Sequence, residues 1–117
     1  MLVYLDTTAL GRLASQDDSS TALLRYLGSD PSIVSCRISE ALLAADPVLD
    51  AVAMRELDRT LLRGAAEIRS TGEMDIAGAL HLAAALELRR ELEGFVTYDD
   101  RIATAARALR LPVVSPT

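Results

Sequence analysis

Three carboxylates, Asp6, Glu40 and Asp99, stand at or shortly after short apolar runs: Val3-Tyr4-Leu5, Ile33-Val34 and Phe95-Val96-Thr97-Tyr98. If these runs are strands of one parallel sheet, ligand chemistry gathers beyond their carboxyl ends, and the three acids converge on one cleft. Clustered carboxylates repel one another unless a divalent cation neutralises them, and hard oxygen donors suit Mg or Mn. A metal held this way can bind a phosphodiester, acidify a water and stabilise charge developing at phosphorus. The chemistry expected of Asp6, Glu40 and Asp99 together is phosphodiester hydrolysis. Taken singly, each acid has a plainer job: Asp6 and Asp99 as helix N-caps, and Glu40 as an acid complementing a helix dipole.

The elements that would position these acids alternate along the chain. Leu2-Val3-Tyr4-Leu5 reads as a strand, and Asp6-Thr7-Thr8 as the start of a helix. Ala22, Leu23, Tyr26 and Leu27 have helical spacing before the terminator Gly28, a strand follows at Ile33-Val34, and Ile38 to Ala45 read as a helix carrying Glu40. Asp46-Pro47 is a helix-start signal, and Leu49, Val52, Ala53, Leu57, Leu61, Ala65 and Ile68 predict one long amphipathic helix beyond it. Ser70-Thr71-Gly72-Glu73 has capping-box spacing, and Met74 to Leu88 predicts a helix buried on most sides. A strand at Phe95 to Tyr98, a helix with Ile102, Ala105, Ala106 and Leu109 on one face, and a last strand at Leu111 to Val114 complete the pattern. Short apolar strands alternating with helices predict an α/β fold, a three-layer α/β/α sandwich around a mainly parallel, short-stranded sheet.

Size and charge narrow the function classes. With 117 residues, half of them hydrophobic, residues 1–117 are expected to form one domain. No run approaches the roughly 20 apolar residues of a membrane span, and MLVYLDTTAL has neither a basic leader nor a small-residue cleavage site, so a cytoplasmic protein is expected. The one cysteine, Cys36, cannot build a disulfide or a thiolate cluster within the chain. A net charge of −5 argues against binding nucleic acid through bulk electrostatics. Local contacts remain open to the 12 arginines, with Arg12, Arg37 and Arg101 nearest the acidic motifs. One Phe, three Tyr and no Trp disfavour a binder that works mainly by stacking bases.

Four ordered segments resemble PIN domains, specifically VapC-type toxin ribonucleases. Val3-Tyr4-Leu5-Asp6-Thr7-Thr8-Ala9-Leu10 resembles the family's opening and Ser39-Glu40-Ala41-Leu42-Leu43-Ala44 its second motif. Ala79-Leu80-His81-Leu82-Ala83-Ala84-Ala85-Leu86 resembles its buried helix, and Phe95-Val96-Thr97-Tyr98-Asp99-Asp100-Arg101-Ile102-Ala103 its final acidic motif. The resemblance implies a Mg- or Mn-dependent endoribonuclease, the toxin of a toxin–antitoxin pair, with RNA as substrate, an antitoxin protein as partner and a homodimer as assembly. It puts Asp6, Glu40 and Asp99 on metal-site acids, with Thr97 orienting the last acid or a water and Asp100 as an additional acid. Arg55, Arg59 and Arg63, four residues apart, would mark an exposed helix able to pack on another chain.

One position departs from the pattern. The family's buried helix carries an aspartate three residues before the histidine, and here that place is Gly78. Asp75 lies one helical turn earlier, about 4.5 Å along the axis and roughly 60° around, from where it either reaches the metal cleft or caps the helix. Gly78 reflects either close packing or loss of a ligand no longer required. His81, alone in an apolar helix, reads as a hydrogen-bonded core residue and is left out of the catalytic set. The alternative to the nuclease is therefore a PIN-like binding module with weakened or absent catalysis. A phosphoacceptor domain built on Asp6 ranks below both, because Thr7-Thr8 supplies no second acid and the chain has no lysine.

Overall fold

The computed structural model describes residues 1–117. Five short strands, β1 (Leu2–Leu5), β2 (Ser32–Cys36), β3 (Ala53–Arg55), β4 (Gly94–Val96) and β5 (Val113–Val114), form one sheet in the order β3-β2-β1-β4-β5. Every pairing is parallel, with Tyr4 opposite Val34 on one side of β1 and Phe95 on the other. The first two crossovers build outward from β1 to β3, and the chain then returns to add β4 on the opposite flank. The order therefore reverses between β1 and β4, where open α/β sheets place their binding crevice.

Side chains leave β1 alternately, and that alternation creates two cores. Val3 and Leu5 join Ala9 and Leu10 of α1 (Thr7–Ser15), Leu23 and Leu27 of α2 (Thr21–Leu27), and Val96. Tyr4 points to the other face with Val34, Cys36 and Phe95, under α4 (Arg59–Ser70), α5 (Ile76–Glu87) and α6 (Asp100–Ala108). The result is the expected three-layer α/β/α sandwich around a parallel, short-stranded sheet of PIN-like form. Gly78 to Ala85 of α5 are all buried, so the apolar run reads out as a helix covered on nearly every side. No helix is long and apolar enough to cross a membrane.

The single long helix expected after Asp46-Pro47 is not formed. Asp46 caps only a 3-10 turn at Pro47–Ala51, its carboxylate accepting from the Val48 N–H at 2.9 Å. Val52 then turns extended, and Ala53 to Arg55 become edge strand β3, pairing Val34 with Ala53 and Cys36 with Arg55. A second start signal, Asp58, caps α4 by accepting from the Leu61 N–H at 2.9 Å. Helical spacing that ran across both caps hid a strand whose backbone groups find partners only once β2 lies beside it.

Three smaller boundaries also move. The capping box at Ser70 to Glu73 is not used; the N-cap of α5 is Asp75. Helix α3 (Ile38–Leu42) stops short of Ala44 and Ala45, which have φ of 51° and 54°. Strand β4 ends at Val96; Thr97 still donates its N–H to the Val114 carbonyl at 3.3 Å, while its hydroxyl and the Tyr98 N–H make side-chain contacts.

Candidate functional site

The β1–β4 pairing delivers Asp6 and Thr97 side by side beyond the strand ends, with the Asp6 N–H donating to the Val96 carbonyl at 3.1 Å. Asp6 is completely buried and is the N-cap of α1. Its Oδ1 accepts from the Ala9 N–H at 3.0 Å and the Thr8 hydroxyl at 2.6 Å, and its Oδ2 accepts from the Thr97 hydroxyl at 2.5 Å. Burial pushes the Asp6 carboxyl above its ordinary range, and these hydrogen bonds pull against that rise.

Asp99 caps α6, its Oδ1 accepting from the Arg101 and Ile102 N–H groups at 2.8 and 3.1 Å. Thr97 joins the two acids, because the hydroxyl that donates to Asp6 also accepts from the Asp99 N–H at 3.1 Å. Thr8 makes a parallel stitch, donating to Asp6 and accepting from the Tyr98 N–H at 2.9 Å. Asp100 is exposed in the first turn of α6.

The other sequence-nominated acids are engaged elsewhere. Glu40 is exposed on α3 and pairs with Arg37 at 3.1 Å, while Arg37 also reaches Glu56 at 2.5 Å. Asp75 is exposed, and its Oδ1 accepts from the Gly78 N–H at 2.6 Å as the cap of α5. No group of three or more His, Cys, Asp or Glu side chains is arranged to hold a metal ion. The donor set implied for Mg or Mn, Asp6, Glu40 and Asp99 with Asp75 beside Gly78, does not fit one.

The arginines divide similarly. Arg12 lies with its guanidinium 3.6 Å from the centroid of the Tyr98 ring, whose hydroxyl donates to the Pro116 carbonyl at 2.8 Å. Arg55, expected on a helix with Arg59 and Arg63, sits in β3 and pairs with Glu87 and Asp58 at 2.6 and 3.0 Å. Arg59, Arg63 and Arg101 are exposed.

His81 is the buried, hydrogen-bonded core residue expected of it, and it anchors a polar chain whose other members the sequence did not single out. The Thr7 N–H at 3.2 Å can only donate, so Nε2 is the acceptor nitrogen, and the Thr7 hydroxyl approaches the same atom at 2.7 Å. The ring proton therefore sits on Nδ1, 2.7 Å from the Tyr4 hydroxyl. Ser39 continues the chain from Thr7 at 2.9 Å, with Ser35 a further 3.4 Å away. Burial pushes His81 down to about 4, with the Asp75 charge opposing the shift, so the ring is neutral at pH 7. The signals for this network were Tyr4 inside an otherwise apolar strand and the Ser35 and Ser39 pair four residues apart. It ties β1, α1, α3 and α5 together one helical turn from Gly78.

No family model matches the sequence, and no curated protein matches it either. Solved structures do match in fold. A toxin–antitoxin complex from Klebsiella pneumoniae superposes with a TM-score of 0.69 at 16% identity over 98% of each chain. VapBC2 from Rickettsia felis, bound to a DNA fragment from their promoter, gives 0.69 at 16% over the whole of both chains. VapC20 from Mycobacterium tuberculosis, a toxin cleaving the sarcin–ricin loop, gives 0.64 at 14% over 88% of this chain and 94% of that one. The likeness is one of fold.

Proposed function

We propose that this chain is a VapC-like module that works by binding, with the metal-dependent cleavage of RNA implied by its sequence motifs weakened or absent. The observation carrying this reading is the dispersal of the acids: Glu40 is held by Arg37, Asp75 caps α5 and Gly78 brings no carboxylate. Two of the proteins of like fold are seen in complexes with antitoxins or promoter DNA, which supports a protein partner of antitoxin type for this chain. RNA is the proposed nucleic-acid ligand, recognised locally because the net charge is −5. A cytoplasmic homodimer is the proposed form, to be checked by sedimentation.

A second reading is the Mg- or Mn-dependent endoribonuclease itself, acting in a toxin–antitoxin pair. It is favoured by one observation, the Thr97 hydroxyl that links Asp6 to Asp99 at the switch point of the sheet. Incubation of structured RNA with the full chain and either metal separates the two. The binding module retains RNA in a gel shift but cleaves no faster than D6A or D99A; cleavage that both substitutions abolish would establish the nuclease instead.

A further inference from the structure

The space beside Gly78 belongs to a neighbouring side chain. A Cβ added at Gly78 would lie 2.5 Å from Met74 Sδ, 3.2 Å from Met74 Cγ and 2.9 Å from Asp75 Oδ1. A side chain at position 78 therefore requires both the Met74 thioether and the Asp75 carboxylate to move. Met74 is half-buried, packs on the core beneath α4, α5 and α6, and forms part of the wall of a groove of about 540 Å³. The same groove is lined by Ile68, Leu109 and the first-turn residues Asp100 and Arg101 of α6. Met74 thus shares a groove wall with the first turn of α6, the helix that Asp99 caps.

We infer that Met74 and Gly78 are a matched pair: the Met74 thioether fills the volume a carboxylate at position 78 would need, closing the metal position sterically as well as chemically. The inference rests on the reading that this fold is used here with little or no divalent-cation chemistry. A thioether is a soft, apolar group that serves Mg or Mn poorly as a ligand, and a carboxylate pressed against it would lose hydration without gaining a donor. Restoring the acid alone therefore does not restore the site; Met74 has to be cut back as well.

Calorimetric titration of the full chain with Mn2+ reads this directly. The unmodified protein and G78D should bind weakly or not at all, and M74A/G78D should bind at least tenfold more tightly than G78D. Equal affinity of G78D and M74A/G78D, or no binding by either, overturns the inference and leaves the binding-module reading standing. Tight binding by the unmodified protein overturns that reading, and the inference with it. A metal-free measurement guards against a double variant that does not fold. Replacing Gly78 by Ala trades the glycine penalty of a helix against the contact with Asp75 Oδ1, so in the M74A background G78A should shift Tm by roughly 3–6 °C more favourably than with Met74 present. With Met74 present the same change should leave Tm unchanged or lower it. An equal shift in both backgrounds would show that Met74 does not own this space.

Discussion

The Thr97 hydroxyl donates to Asp6 Oδ2 at 2.5 Å across the join between β4 and β1, and accepts from the backbone N–H of Asp99 at 3.1 Å. One oxygen thereby fixes the orientation of a buried carboxylate and the entry angle of α6. Strand β4 ends at Val96, and Thr97, whose N–H still donates to the Val114 carbonyl at 3.3 Å, turns its hydroxyl to these two partners where the strand order reverses. The two acids so joined each do a cap's work.

Replacing Thr97 by Val keeps the shape and removes the donor. Asp6 Oδ2 is then buried with no partner, at a cost of about 1–3 kcal/mol in urea unfolding at pH 7. Burial already raises the Asp6 carboxyl, and losing Thr97 raises it further. A raised carboxyl contributes stability that is present in acid, below its unfolded value, and lost as pH rises through the folded one. The T97V penalty should therefore shrink as pH falls and Asp6 takes up a proton. A penalty independent of pH would mean that Thr97 supports packing alone.

His81 sets an opposite trend. Its folded value is pushed down to about 4 from an ordinary 6.5 because the ring is buried, with the Asp75 charge opposing the shift. A lowered value means that the stability is fully present above about 6.5 and lost as pH falls toward 4, since the unfolded chain protonates first. The loss across that window is roughly 3 kcal/mol. Urea unfolding of the wild type and H81Q between pH 7 and 4 should show a steeper acid loss in the wild type. Parallel curves would mean that the ring takes a proton in the folded protein.

Whether Asp99 is a cap or a ligand can be separated by two substitutions. Asparagine keeps an oxygen for the Arg101 and Ile102 N–H groups, whereas alanine removes it. As a cap, Asp99→Asn should leave stability within a few tenths of a kcal/mol, and Asp99→Ala should cost about 0.5–2 kcal/mol. The gel shift with RNA should be equal for wild type and D99N. RNA binding that depends on Mn2+ and disappears in D99N would make Asp99 a ligand.

The sequence made much of this legible, and the limits are local. Strand β1, helix α5 and the Asp6 and Asp99 caps follow from short-range pattern, because apolar spacing and cap chemistry act within a few residues. Strand β3 was hidden because Val52 and Ala53 continue a helical spacing, and only pairing with β2 settles their backbone. Glu40 shows the same limit for the site: its type and place suited a metal, yet Arg37 on the preceding residues and Glu56 across the sheet edge determine where it points. The Tyr4, His81, Thr7 and Ser39 chain spans three layers of contact, which no periodicity encodes.

Gly94 carries a packing constraint that no local sequence pattern reveals. It is buried at the start of β4, opposite Val3, and a Cβ there would run into the Tyr26 hydroxyl and lie 3.4 Å from Val114 Cγ2. Tyr26 comes from α2, on the layer that covers Val3 and Leu5, so the glycine sets how closely that layer approaches the β1–β4 join. Gly94→Ala forces the Tyr26 ring aside and should destabilise by about 1–3 kcal/mol, seen as a lower urea midpoint with an unchanged slope. Tyr26→Phe removes the oxygen that clashes, although the next ring carbon still lies 3.2 Å from the added Cβ. The double variant G94A/Y26F should therefore recover part of the loss. If it unfolds at the same midpoint as G94A, the strain lies against the Tyr26 ring carbon or Val114 in β5 and not against the Tyr26 hydroxyl.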